Sequence, residues 1–182
     1  THFGKGSVFS HHGIPVPAGP DALDRERMDV LLEATGSRRL LIVGDFLHGP
    51  LVPHSAAARE LRAWLQSLAP VEVLLVTGNH DRTAATGWRA EVAWEGSTLE
   101  EGPFCFVHDP DARTPRAAGY RIAGHIHPVV ALGGLRKRRL RVPVFWERPD
   151  ALVLPSFGLF TGGYRIRSAD GGRVFAADAG IL

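Results

Sequence analysis

Hydrophobic patterning changes character near Trp94. Before it, apolar residues come in short unbroken runs, Leu40–Val43 and Val73–Val76, the mark of strands buried on both faces. Between the runs, Ser55 is placed to cap a helix reaching about Ala69, with Leu61, Trp64, Leu65 and Leu68 as its apolar stripe and Pro70 at its end. Upstream, Asp21 is a plausible N-cap for a helix carrying Leu23, Met28, Leu31 and Leu32 and stopping near Gly36. The Gly- and Pro-rich stretch from Ser7 to Pro20 reads as an irregular loop. Strand, helix, strand in this order predicts a right-handed parallel crossover.

After Trp94 helical spacing fades. Short strand-like pieces follow at Phe104–Val107, Tyr120–Ala123, Val129–Leu132, Leu140–Trp146, Ala151–Leu154, Tyr164–Arg167 and Arg173–Ala177, split by Gly, Pro and Asp. The pattern predicts an α/β fold in which a mostly β second half packs against the first. With no repeat, linker or low-complexity segment in view, residues 1–182 read as a single domain.

Composition supports this reading. The chain has 182 residues, 45% hydrophobic and 22% charged, enough for an ordinary core. Its single cysteine, Cys105, excludes an internal disulfide framework and a four-cysteine zinc site, and fits a reducing, cytoplasmic setting. No apolar run approaches the roughly 18 residues of a membrane span, so no membrane partner is expected. Net charge is only +2 with neutral histidines. Positive charge is concentrated, however, in Arg136, Lys137, Arg138, Arg139 and Arg141. That cluster is either a solvated hairpin or a contact for a polyanion backbone.

The strands lead into the chemistry. Asp45 in GDFLHG, Asn79 with His80 in GNHD, His108 in FVHD, and His125 with His127 in GHIHP each follow a predicted strand. Open α/β sheets bind ligands at the carboxyl ends of their strands. Oxygen and imidazole donors gathered there from distant stretches fit a pair of divalent cations roughly 3.5–4 Å apart. A carboxylate such as Asp45 can bridge the pair, the Asn79 amide adds a neutral donor, and imidazoles complete the shells.

In their order and spacing these motifs resemble those of calcineurin-like metallophosphoesterases, whose pattern runs DxH, GD, GNHD, an isolated His, then GHxH. HFGK followed by GIPVP, GDFLHG and LPSFGLFTGG is similar to the bacterial ligase-associated branch of that superfamily. The resemblance implies a layered α/β/β/α sandwich. His2 matches the histidine of the first motif, while the aspartate of that motif and the first β-strand of the fold would precede Thr1. The expectation is therefore an N-terminally incomplete domain lacking that strand.

By the same resemblance His2 and His127 serve one metal, Asn79, His108 and His125 the other, and Asp45 bridges them. The implied activity is hydrolysis of DNA phosphodiester bonds, in single strands and in repair, by metal-hydroxide attack. His80 would assist the leaving group, Asp81 would orient the His80 ring or cap the following helix, and His48 would contact the scissile phosphate or brace its loop. Lys5 and the basic cluster at Arg136, Lys137, Arg138, Arg139 and Arg141 are the candidate DNA contacts. Manganese is the implied metal, with iron and zinc equally suited to the donors. Implied partners are a DNA ligase, an exonuclease-like protein, a helicase and a second copy in a homodimer. Two alternatives stay open: a phosphoesterase for nucleotides or cyclic nucleotides, and an inactive interaction module of the same fold. Phe157, Phe160 and Tyr164 read as packing around a glycine-rich turn, or as surfaces on which unpaired bases stack.

Overall fold

The computed structural model describes residues 1–16, 19–84, 86–113, 119–133 and 139–177. The apolar runs form β1 (Arg39–Val43) and β2 (Glu72–Val76), paired in parallel with Ile42 opposite Leu75. A two-residue strand, β3 (Ala93–Trp94), adds to β2 in the same sense, giving the order β1-β2-β3. Helices α2 (Pro20–Thr35) and α3 (Ala56–Ser67) contribute Met28, Leu61, Trp64 and Leu65 to one core with Ile42, Val73 and Leu75. Leu74 and Val76 are buried as well and, by strand alternation, point to the opposite face. Each such side chain contributes about 1.5–3 kcal/mol on burial. Ser55 caps α3 as its sequence predicts, its hydroxyl accepting the Ala58 amide at 3.2 Å, a contact worth about 1 kcal/mol.

Two N-terminal expectations are corrected. Lys5–His11 is a helix, α1, and not part of a loop. No side chain caps it, and Val, Ser and Gly are poor helix formers. Tertiary contacts hold it instead, with the Phe9 ring edge-on to Phe160 at 5.9 Å and to His48 at 5.6 Å. Asp21 does not cap α2, whose N-cap is Gly19 in the left-handed region. Its carboxylate accepts the Gly4 amide at 2.8 Å, so it fastens the entry to α1. Leu23 is exposed, and the buried positions of α2 are Asp24 and Met28. Asp24 accepts the Leu159 amide at 3.1 Å, which ties α2 to a segment 135 residues away.

The second half forms a mixed sheet of β4 (Thr98–Glu101), β5 (Phe104–Val107), β6 (Tyr120–Ala123), β7 (Pro128–Gly133), β8 (Arg139–Glu147), β9 (Ala151–Val153) and β10 (Tyr164–Arg165), with β11 (Arg173–Ala176) paired to β8. Their order is β10-β7-β8-β9-β6-β5-β4. One face of the sheet is buried through Cys105, Val107, Ala123, Val144, Ala151 and Val153, while Phe104 and Phe175 on the other face are exposed. Pro143, opposite Val129, marks where β8 leaves β7 and begins pairing with β11 through Val144. A residue with no N–H suits that hand-over. The result is the expected α/β sandwich. No helix among the described residues is long and apolar enough to cross a membrane.

Candidate metal centre

Strand ends from both sheets deliver the donors. β1 runs into Gly44–Asp45, β2 towards Asn79 and His80, β5 into His108, and β6 through Gly124 to His125. His127 directly precedes β7. His2 is laid beside Asp45 because its amide donates to the Asp45 carbonyl at 2.7 Å and Phe3 donates to Phe46 at 2.8 Å.

Close approach of these loops is built into their glycines. Gly44 has φ 79°, and a Cβ there would strike the His108 ring. A Cβ on Gly78 would strike the amide and carboxylate of Asp45. Backbone strain gathers at the same place: among the described residues the non-glycine positive φ angles are His2 (62°), Asp45 (51°), His54 (60°), His125 (63°) and His127 (52°). All but His54 carry candidate donors. Left-handed backbone at such residues costs of order 1–3 kcal/mol each and persists where the surroundings enforce it.

Asp45 lies between two donor sets. Its Oδ1 accepts the His80 amide at 3.0 Å, and its Oδ2 faces His108 Nε2 at 3.3 Å and His2 Nε2 at 3.7 Å. On one side, Asn79 Oδ1 is 3.0 Å from His108 Nε2 and 3.1 Å from His125 Nδ1, and those two nitrogens are 3.1 Å apart. On the other, the ligand atoms of His2, Asp45 and His127 lie within 4.8 Å of one another.

The donors of the first set fit a cation. His108 Nδ1 faces the Val43 carbonyl at 3.1 Å, so it carries the proton in that bond. In the neutral ring Nε2 is then a bare lone pair, aimed at two oxygens that also offer only lone pairs. Such an arrangement needs a positive centre, either a second proton or a metal ion. Ligands about 2.1 Å from a common ion stand about 3.0–3.4 Å apart, the spacing found here.

Electrostatics reflect the crowding. Burial raises the Asp45 carboxyl, but the His108 bond and charge, the His80 amide and His2 outweigh it and hold it below the usual carboxylate range. Burial lowers His108, yet its bond to Asp45 and that carboxylate's charge leave it raised. His2 is lowered to about 3 and His127 to about 4, burial being the largest cause for each.

Around the donors, His80 Nδ1 donates to the His48 carbonyl at 2.9 Å, and the two rings stack at 4.8 Å with an interplanar angle of 25°. From sequence, Asp81 is expected either to orient the His80 ring or to cap the helix that follows. That aspartate is fully buried with its oxygens occupied elsewhere, accepting the Leu47 amide at 3.1 Å and the Gly78 amide at 2.9 Å. Asp81 braces the Asp45 and Asn79 loops against each other, and the His48 backbone positions the ring. Lys5 Nζ lies over the rings of Phe9 (5.6 Å) and Phe160 (5.3 Å), so burial lowers its pKa beside His48. Phe157 packs under the Arg27 guanidinium at 4.6 Å, and Tyr164 is exposed. Arg136, Lys137 and Arg138 lie outside the described residues. Arg139 opens β8, and Arg141 on the same strand is exposed opposite Ala131. No sequence signal points to Val43, which acts through its carbonyl, or to Phe9, which lies in the Gly- and Pro-rich stretch.

The structure is an α/β sandwich whose strand ends gather His and Asp groups able to hold metal ions. The crystal structure of Pseudomonas putida nuclease MPE is similar to it, with a TM-score of 0.79 and 30% sequence identity over 97% of this chain and 80% of that one. No family model and no curated protein matches the sequence. The chain belongs to the metallophosphoesterase family.

Proposed function

We propose that this protein is a two-metal-dependent nuclease that hydrolyses DNA phosphodiester bonds, acting on single strands in DNA repair with manganese as its metal. The observation that carries the reading is Asp45, a buried carboxylate with one oxygen between His108 and His2. Likeness to a nuclease supports the substrate class. In this reading Asn79, His108 and His125 hold one cation, His2 and His127 the other, and Asp45 serves both. The residues 1–182 act as one domain.

When bound, the cations supply Lewis acidity that activates water and offsets negative charge at phosphorus. The chain supplies the rest. The His48 carbonyl fixes the Nδ1 proton of His80 and leaves Nε2 as the atom presented to substrate. Protonated there, His80 gives that proton to the departing alkoxide. His48 keeps the ring plane by stacking, and Asp81 keeps the loops in register. Lys5 meets a substrate phosphate, and the Arg136–Arg141 cluster meets the flanking backbone.

The test is cleavage of a circular single-stranded DNA with Mn2+, beside hydrolysis of nucleotides and aryl phosphates. The account expects manganese-dependent cutting of the circle, weakened steeply by salt. Hydrolysis confined to the small esters would make it a small-substrate phosphoesterase instead.

A further inference from the structure

A third set of donors occupies the same pocket, and the two-cation reading gives a metal to only one of its members, His2. His2, His48 and His80 offer ligand nitrogens that lie within 4.8 Å of one another. Their ring centroids are 5.6 Å (His2–His48), 5.2 Å (His2–His80) and 4.8 Å (His48–His80) apart. Nδ1 of His2 and Nδ1 of His48 are both buried and have no hydrogen-bond partner among the described residues. His80 Nε2 is left open by the bond its Nδ1 makes to the His48 carbonyl. Burial of unpaired imidazole nitrogens is unfavourable, and a cation among the rings would satisfy them.

The chemistry of this set differs from its neighbours. Both sets around Asp45 include a carboxylate, and one adds the Asn79 amide, oxygen-bearing mixtures that manganese, iron and zinc all accept. The third set is all imidazole. Three histidines are a recurring zinc site, and zinc outranks manganese at nitrogen donors.

We propose that His2, His48 and His80 form an alternative site, sharing His2 with the His127 pocket, for a borderline cation, zinc above all, and that zinc bound there switches the enzyme off. Occupancy takes the proton donor His80 out of the reaction and draws His2 away from Asp45. The binding half of the inference stands on the geometry alone, while the inhibitory half rests on the nuclease reading.

Calorimetric titration with Zn2+ separates the two halves. Asp45→Asn with His125→Ala removes donors from the sets around Asp45 but leaves the three histidines, and circular dichroism confirms folding. This variant is expected to bind one zinc, and adding His48→Ala is expected to weaken that binding at least about tenfold. Absence of zinc binding in the folded double variant, or binding indifferent to His48→Ala, overturns the site. As a second arm, His48→Gln in the otherwise unaltered chain is assayed with manganese, each protein normalised to its own zinc-free rate. The zinc needed for half-inhibition is expected to rise at least about tenfold. Equal zinc sensitivity in a manganese-dependent enzyme overturns the switch and spares the nuclease reading. His48-dependent zinc binding in a protein that cuts no substrate upholds the site and overturns that reading.

Discussion

On one side of Asp45, Asn79 Oδ1, His108 Nε2 and His125 Nδ1 stand 3.0 to 3.1 Å apart, and the Val43 carbonyl anchors His108 from behind. On the other, His2 Nε2 is 3.7 Å from the same carboxylate and its Nδ1 has no partner among the described residues. The first pocket is organised before any cation arrives, its tautomer set by a backbone acceptor. The second has strained backbone at His2 and His127, and no hydrogen bond among the described residues fixes the His2 tautomer through Nδ1. Outer partners of this kind are worth about 10–100-fold in metal affinity. The first pocket should therefore hold its cation more tightly.

Asp45→Asn removes what the pockets share and should have the largest effect. Cleavage should fall by about 10³-fold or more, because charge stabilisation worth several kcal/mol is lost. Metal content by mass spectrometry should fall below two ions per chain. His80→Ala should cost about 10²–10⁴-fold in rate while leaving manganese content unchanged, which separates proton delivery from the pockets around Asp45. Gly44→Ala attacks the organised pocket most directly, since its Cβ displaces His108. Affinity for the tighter cation should drop by about 10–100-fold. A drop in the weaker affinity alone would reverse the assignment.

Acidity distinguishes the pockets by sign. His2 and His127 are lowered from 6.5 to about 3 and about 4 in the folded chain. Between about pH 6.5 and 4 the unfolded chain therefore binds protons that the folded chain does not, and stability falls as pH falls. His108 is raised, so its contribution is complete below pH 6.5 and is lost as pH rises through its folded value. In chelator-treated protein, His127→Asn should flatten the acid slope of the denaturation midpoint, and His108→Asn should not. The smallest effect belongs to Arg141→Ala, which should weaken DNA binding evenly across sequences and reduce the salt slope by about 1.

The organised pocket was also the more legible in sequence. Asp45, Asn79, His108 and His125 each follow a predicted strand, and the strands leading to Asp45 and Asn79 announce themselves as unbroken apolar runs. The helix at Ser55 was readable for the same reason, since a capping hydroxyl and a full apolar stripe are local signals. The N-terminal side was not. α1 owes its existence to Phe160 and His48, far away in sequence, and Asp21 acts on Gly4 where local reading made it a cap. Asp81 stands next to His80 in the chain, which suggested a partnership, yet three-dimensional packing turns its oxygens towards Leu47 and Gly78. Strands as short as Ala93–Trp94 carry too few residues to register a period.

Crystals grown with Mn2+ and measured at a wavelength where manganese scatters anomalously address the central claim directly. The account predicts two anomalous peaks about 3.5–4 Å apart with an Asp45 oxygen between them, one beside Asn79, His108 and His125 and the other beside His2 and His127. A single peak, or a pair that Asp45 does not touch, would contradict it.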